Sequence, residues 1–304
     1  MIKRTLYFGN QAYLSLKDNQ LVIKKNGDEI VTAAIEDIAY IVLDSPQITV
    51  TNALLGALLE NNCAIINCDK THLPSGLLLP LSGNTLQSER FQAQIDASLP
   101  LKKQLWQQTV QQKILNQAAV LQQMRQLPAK QMVTWANEVR SGDTDNREAV
   151  AAAFYWKELF PDLDNFTRDR YGKPPNNLLN YGYAILRGVV ARSLVASGLL
   201  PTLGIHHRNR YNAYCLADDI MEPYRPIVDK FIIQNLKKVG EYPQVLTKEI
   251  KASLLAIPVL DTWIGGKRSP LMNAVSTTTA SLYRCYAGET RKVIYPEVQD
   301  GSLQ

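Results

Sequence analysis

The sequence predicts an α+β fold with segregated elements: a small N-terminal β domain, residues 1–82, followed by a larger all-helical C-terminal domain, residues 83–304. Three observations carry this expectation. The first part of the chain alternates apolar and polar residues between turn signals. Leu81-Ser82-Gly83-Asn84-Thr85 has the chemistry of a linker. Beyond it the apolar period changes from 2 to 3.6. In order, Ala12–Lys17 alternates as a half-buried strand, Asp18-Asn19 turns, Leu21–Ile23 resumes, and Asn26-Gly27 signals a hairpin. Further strands are expected at Ile38–Leu43, Cys63–Asn67 and Leu77–Leu81. Between them Leu54, Leu55, Leu58 and Leu59 share one helical face, which Asn61-Asn62 ends. Phe91, Ile95, Leu105, Ile114, Leu121 and Met124 then mark helices separated at Pro100 and Pro128. Met132, Trp135 and Val139 mark another, closed by Gly142. The glutamine-rich stretch Gln87–Gln131 keeps an apolar stripe, so it reads as the polar face of long helices.

Composition excludes several classes. A chain of 304 residues with 46% hydrophobic and 20% charged residues is an ordinary globular protein, far from disorder. No stretch approaches the ~18 apolar residues of a membrane span, so no membrane partner is expected. The opening MIKRTLYFGN lacks an apolar signal core, and the four cysteines (Cys63, Cys68, Cys215, Cys285) form no CxxC pair. A cytoplasmic protein with reduced thiols is expected. The net charge is only +5, but Asn165–Tyr211 holds seven basic residues against Asp169 alone, a local +6. Such a window is either the footprint of a polyanion or a solvated basic surface.

Three places can carry chemistry. In Asp143-Thr144-Asp145-Asn146-Arg147-Glu148, Asp145 and Glu148 fit a capping box. Yet the alanines after Glu148 (Ala149, Ala151, Ala152, Ala153) leave room for a helix or ligand to reach its carboxylate. In Gly204-Ile205-His206-His207-Arg208-Asn209-Arg210, two histidines fall in a loop after a helix expected at about Asn177 to Ser197. With arginines and no carboxylate nearby in sequence, they read as neutral imidazoles serving as a metal ligand or a phosphate-side donor, or as plain polar loop residues. His72 reads as structural. In Asp218-Asp219-Ile220-Met221-Glu222-Pro223, like charges three and four apart repel unless a cation lies between them; the alternative is an acidic helix end near Arg225. Together, carboxylates and an imidazole make a hard, oxygen-rich site suited to Mg²⁺ or Mn²⁺ more than Zn²⁺. Beside a basic surface interleaved with Phe166, Tyr171, Tyr181, Tyr183 and Tyr211, such a site suggests phosphodiester chemistry on nucleic acid.

Asn-Arg-Glu-Ala at 146–149, Asn-Tyr-Gly-Tyr-Ala-Ile-Leu at 180–186, Gly-Ile-His-His at 204–207 and Asp-Ile-Met-Glu-Pro-Tyr-Arg-Pro at 219–226 together resemble the CRISPR-associated integrase family of spacer acquisition, in its type II-like branch. Cys68–Pro74 and Gly265-Gly266-Lys267-Arg268 also fit. The resemblance spans nearly the whole chain. It implies a homodimer, two of which are bridged by a small second acquisition protein. It implies a metal trio of Glu148, His207 and Glu222 holding Mg²⁺ or Mn²⁺, with Asp219 as a supporting acid and His206 where the family has an apolar or aromatic residue. Its substrates would be double-stranded DNA with free 3′-OH ends and CRISPR repeat DNA. Further type II acquisition factors, the RNA-guided effector nuclease among them, are partners the resemblance admits. Arg208, Arg210, Arg170 and Lys173 are the expected phosphate contacts. Two other readings remain open at this level: a metal-dependent nuclease of branched or repair DNA, and a non-catalytic DNA scaffold.

Overall fold

The computed structural model describes residues 3–25, 30–70, 72–163, 166–236 and 242–299. The N-terminal part holds two four-stranded sheets. Its strands are β1 (Arg4–Phe8), β2 (Ala12–Lys17), β3 (Gln20–Lys24), β4 (Ile30–Ala34), β5 (Ile38–Leu43), β6 (Ile48–Val50), β7 (Ala64–Cys68) and β8 (Pro74–Leu78), with helix α1 (Asn52–Glu60) before β7. One sheet runs β4-β3-β2-β6 and the other β1-β5-β7-β8. The Asn26-Gly27 hairpin signal lies outside the described residues, although β3 and β4 pair antiparallel on either side of it. The last strand begins at Pro74, three residues before the expected Leu77. Proline is tolerated there because the first residue of an edge strand can dispense with a donor.

The sheet β1-β5-β7-β8 is covered on both faces, which explains the unbroken apolar run Ile38–Leu43. A bulge at Ala39 shifts the register between β1 and β5. Beyond it Ile41 joins Leu14, Leu21, Leu54 and Leu58 in a core between the sheets and α1. Tyr40, Val42, Ala64 and Ile66 face the other way and merge with the helical core.

The helices are α2 (Gln87–Ile95), α3 (Leu99–Arg125), α4 (Lys130–Glu138), α5 (Arg147–Leu159), α6 (Asn176–Ala196), α7 (Cys215–Met221), α8 (Arg225–Leu236), α9 (Lys248–Leu254) and α10 (Leu271–Tyr286). The 27-residue α3 starts with Ser98 capping the amide of Leu101, and Pro100 occupies the first turn, where its missing donor costs nothing. Helix α6 runs through the centre. A Cβ on Gly188 would meet Ile66 Cδ1 at 3.0 Å, so glycine lets this helix press against the sheet. The C-terminal part carries one addition to its helices: a small sheet of β9 (Asp261–Ile264), β10 (Lys267–Pro270) and β11 (Pro296–Glu297), ordered β10-β9-β11, with its hairpin turning at Gly265-Gly266. Among the described residues no helix is long and apolar enough to cross a membrane.

The sheet is latched to the helices by a buried acid. Asp44, just after β5, accepts from the Tyr7 hydroxyl, meets His72 Nδ1 at 2.9 Å, and pairs with Lys251 Nζ of α9 at 3.1 Å. His72 is thus structural, as its sequence context suggests. Lys251→Met strands the Asp44 charge away from water and is expected to cost about 3–5 kcal/mol. The check is the urea midpoint of the variant against wild type; an unchanged midpoint refutes the latch.

Candidate functional site

Helix α3 is the platform. Trp106, Lys113 and Asn116 recur on nearly one side of it, at spacings of seven and three. Lys113 is the one charged residue between Gln104 and Met124, and its side chain is buried. Its ammonium sits 2.6 Å from Glu148 Oε1 and 2.6 Å from Glu222 Oε2. Glu148 stands in the first turn of α5, where the helix dipole favours a carboxylate. Of the alanines after Glu148, Ala151 is fully buried where α5 packs on α3, while Ala149 and Ala153 are exposed, so one small residue rather than the whole run lies at the helix contact. Glu222 opens the single 3₁₀ turn Glu222–Tyr224 between α7 and α8. That turn is clamped by Asn116, whose amide donates to Pro223 O at 2.7 Å and Pro296 O at 2.9 Å.

Glu222 also meets Arg225 Nε at 2.8 Å. Burial pushes the Glu222 carboxyl up, but Arg225 and Lys113 prevail and hold it down at about 2. Burial likewise disfavours the Lys113 ammonium, and Glu222 and Glu148 reverse this, so it stays charged.

The histidine loop is organised by Asp219, which is fully buried. It accepts the backbone amides of Ile205 at 2.7 Å, His206 at 3.0 Å and His207 at 3.3 Å, and meets His207 Nδ1 at 2.5 Å. The loop closes only over glycine: a Cβ on Gly204 would lie 2.3 Å from His207 O and 2.8 Å from Asp219 Oδ2. The expectation of imidazoles without a carboxylate is therefore corrected, because the turn brings Asp219 back onto His207. That hydrogen bond raises the His207 pKa against the effect of burial. His206 instead lies flat on Trp106, centroids 4.1 Å apart, and burial and then His207 lower its pKa. An aromatic stack here accounts for an imidazole at a position where the resembled family has an apolar or aromatic residue.

Two further expectations are corrected. Asp145 does not cap α5; it pairs with Arg140 at 3.4 Å. Asp143 caps instead, accepting the amides of Arg147 at 2.9 Å and Glu148 at 3.1 Å, because Asp143 and Asn146 take left-handed backbone and fold the loop back. The basic window is not one aromatic-studded surface. Tyr181 and Tyr183 are core residues and Phe166 packs on Trp156 and Phe160. Arg168 is held by Asn176 and Asn180, Arg187 by Asp218 at 2.7 Å, and Arg192 by Asn62 O. Asn165, which opens the window, lies outside the described residues. The exposed part comprises Arg170, Lys173, Arg208 and Arg210, together with Arg187 although it is paired with Asp218, and Tyr171 is 87% and Tyr211 80% exposed. Arg170 and Arg210 each lie over the neighbouring tyrosine ring.

Glu148 and Glu222 thus share one cation, and His207 is oriented by Asp219. Among the described residues no three acid, cysteine or histidine side chains are close enough, as they stand, to hold one ion. The donor set nonetheless fits a hard divalent cation: two carboxylate oxygens already at a positive charge, and an imidazole whose Nδ1 is tied to Asp219, leaving Nε2 as donor. Lys113, Asn116 and Trp106 were missed in the sequence. The isolated charge at Lys113 on a long uncharged stretch of helix was the available signal.

Fold and site together define an α+β protein with an acid–imidazole centre in its helical part and exposed arginines alongside. The family described as CRISPR associated protein Cas1 matches residues 6–244, and the chain belongs to that family. It is 44% identical over 256 residues to the CRISPR-associated endonuclease Cas1 of Neisseria meningitidis, covering 84% of this chain and 83% of that protein. A Cas1 of Saccharolobus solfataricus is 29% identical, with 74% and 73% covered. Among solved structures, a casposase bound to an integration product superposes with a TM-score of 0.77 at 18% identity, over 96% and 92% of the two chains. A Cas1 protein from Thermotoga maritima gives 0.71 at 15% identity, over 99% and 100%.

Beneath the site a polar network joins three helices. The Tyr155 hydroxyl of α5 and the Tyr183 hydroxyl of α6 donate to buried Asp229 of α8 at 2.9 and 2.6 Å, and Arg225 lies 4.5 Å over the Tyr183 ring. Burial pushes the Asp229 carboxyl up to about 7, against the two phenol donors. A carboxyl raised from 3.8 to about 7 binds its proton more tightly folded than unfolded, so this group makes the protein less stable as pH rises through that window. Asp229→Asn is expected to remove that loss; stability of the two proteins measured from pH 4 to 8 checks it, and parallel curves refute it.

Proposed function

We propose that this protein joins short DNA duplexes into a CRISPR repeat array by transesterification, as the integrase of spacer acquisition. The observation that carries the reading is the meeting of Glu148 and Glu222, from separate elements, at one positive charge, with the His207 imidazole held in its own loop by Asp219. Support comes from membership in the Cas1 family and from the fold shared with a casposase bound to an integration product. The 3′-OH of the incoming strand attacks a phosphodiester at the repeat edge, the new P–O bond forms as the old 3′-oxygen leaves, and the proton lost by the nucleophile balances that gained by the leaving group. One phosphodiester replaces another, so no energy source is needed.

Glu148, His207 and Glu222 would hold Mg²⁺ or Mn²⁺, which supplies Lewis-acid polarisation of the scissile phosphate. The side chains of this chain do the rest. Asp219 fixes the His207 ring so that Nε2 faces outward from their contact. Glu148, Glu222, Lys113 and Arg225 sum to zero charge, so an added dication leaves the centre positive and complementary to phosphate. Arg208 and Arg210, one and three residues after His207, would with Arg170 and Lys173 hold backbone phosphates, which sets register without reading sequence. Homodimerisation, and a small second protein bridging two dimers, belong to the same proposal; part of one chain of a Cas6-RT-Cas1–Cas2 complex, 35% of its length, shares this fold over 95% of this chain with a TM-score of 0.71. Type II accessory factors, the RNA-guided effector nuclease included, and a cytoplasmic location complete it. A nuclease reading uses the same residues with water as nucleophile, and the name endonuclease borne by the Neisseria relative favours testing it.

The decisive assay mixes the protein, its small partner, a duplex with free 3′-OH ends and a repeat-bearing plasmid with Mg²⁺ or Mn²⁺. Covalent joining at the repeat edge is expected; nicking without joining would establish the nuclease. Asp219→Asn is expected to cost about 10–100-fold, and Glu148→Gln, His207→Ala and Glu222→Gln more. Loss of joining in His206→Ala with retention in His207→Ala would reverse the roles of the two rings. For DNA affinity, Arg208→Ala and Arg210→Ala should each weaken binding and reduce the slope of log K against log salt by about 1. A slope unchanged in both variants removes these arginines from the interface.

A further inference from the structure

The position of Lys113 goes beyond the ligand assignment and rests on it. Glu222 is enclosed, with its side chain 7% exposed, and both its oxygens already face cations: Oε1 meets Arg225 and Oε2 meets Lys113. Glu148 is 23% exposed and its Oε1 meets the same ammonium. A divalent ion cannot take up Glu222 while both cations stay where they are, because two positive groups would then crowd one carboxylate beside it. The two are not equally able to leave. Arg225 is a planar group set over the Tyr183 ring at 4.5 Å, and Tyr183 is itself held by Asp229. Lys113 is a point charge at the end of a four-carbon stem, and it makes no stacking contact that would fix it.

We propose that Lys113 is the built-in counter-cation of the metal-free site, a positioning residue that holds Glu148 and Glu222 together until a divalent ion displaces its ammonium. In this role Lys113 does two opposing things. It relieves the repulsion between two carboxylates brought to one point, so the ligands are aimed before the ion arrives. It also competes with the ion, so affinity is lower than the two carboxylates alone would give. The displaced ammonium adds its charge to the phosphate-facing side of the centre.

The opposition makes the inference testable without an activity assay. Full-length wild type, Lys113→Met, Lys113→Arg and Glu148→Gln/Glu222→Gln proteins are titrated with Mn²⁺, following free Mn²⁺ by electron paramagnetic resonance, and melted with and without Mn²⁺. Lys113→Met is expected to bind Mn²⁺ about tenfold more tightly or better, the factor for 1.4 kcal/mol of removed competition. Without metal it should melt several degrees lower, on the order of 4 °C, with a larger Mn²⁺-induced rise than wild type. Lys113→Arg keeps the charge and is expected to stay folded without metal and to bind Mn²⁺ no more tightly than wild type. A purely structural lesion would loosen the ligands and weaken binding, so equal or weaker Mn²⁺ affinity in Lys113→Met overturns the proposal. If Lys113→Met does not fold, Lys113→Arg decides: tighter binding than wild type overturns the proposal, and equal or weaker binding supports it. If the double glutamine variant binds Mn²⁺ as wild type does, the ligand assignment itself falls, an outcome distinct from a failure of Lys113 alone.

Discussion

Two ionised carboxylates brought to one place inside a protein repel unless a cation lies between them. At 4 Å, like charges repel by about 4 kcal/mol even at the effective dielectric of a protein surface. Here the cation is Lys113, and much of the helical part is arranged to deliver it. Helix α3 is long, and its glutamine-rich surface carries a single inward charge along its middle. Buried Ala151 lies where α5 packs on α3, and Glu148 reaches the ammonium from one side. Asn116, one turn further along, grips Pro223 and brings Glu222 in from the other.

The charges of the centre are tied to the surrounding core by a second layer of contacts. Arg225 links Glu222 to Tyr183, and Asp229 links Tyr183 to Tyr155, seven residues beyond Glu148 on α5. The helices bearing the acids are therefore coupled twice, once through the ammonium and once through buried phenols. Asp219 does for the histidine loop what Lys113 does for the acids: one buried carboxylate gathers three amides and a ring. The arginines divide along the same line. Arg168 and Arg192 are half-buried and held by neighbouring groups, Arg187 is exposed but paired with Asp218, and Arg170, Arg208 and Arg210 remain on the surface.

The β part is bound into this arrangement rather than appended to it. Its second sheet shares one face with the helical core, and Asp44 and Lys251 close the seam with a buried ion pair. The boundary near residue 82 is a change in local chemistry, while the apolar core runs across it.

The segregated α+β order, the strands at Ala12–Lys17 and Ile38–Leu43, and the helices through Asn176–Ala196 were legible because period, caps and turn residues are local properties of the chain. So were Glu148, His207 and Glu222 as residues of interest, through their motifs. What each charge meets was not legible. The local pattern points to Asp145 as the cap, and left-handed backbone at Asp143 and Asn146 gives that role to Asp143. Tyr181 and Tyr183 look like surface aromatics among arginines until α6 is buried. Lys113 reaches Glu148 across 35 positions, and Asn116 reaches Pro223 across 107. Residue order encodes the period of an element within a few turns, but the partner of a buried charge is set by which helix faces pack together, and only the folded chain brings those faces into contact.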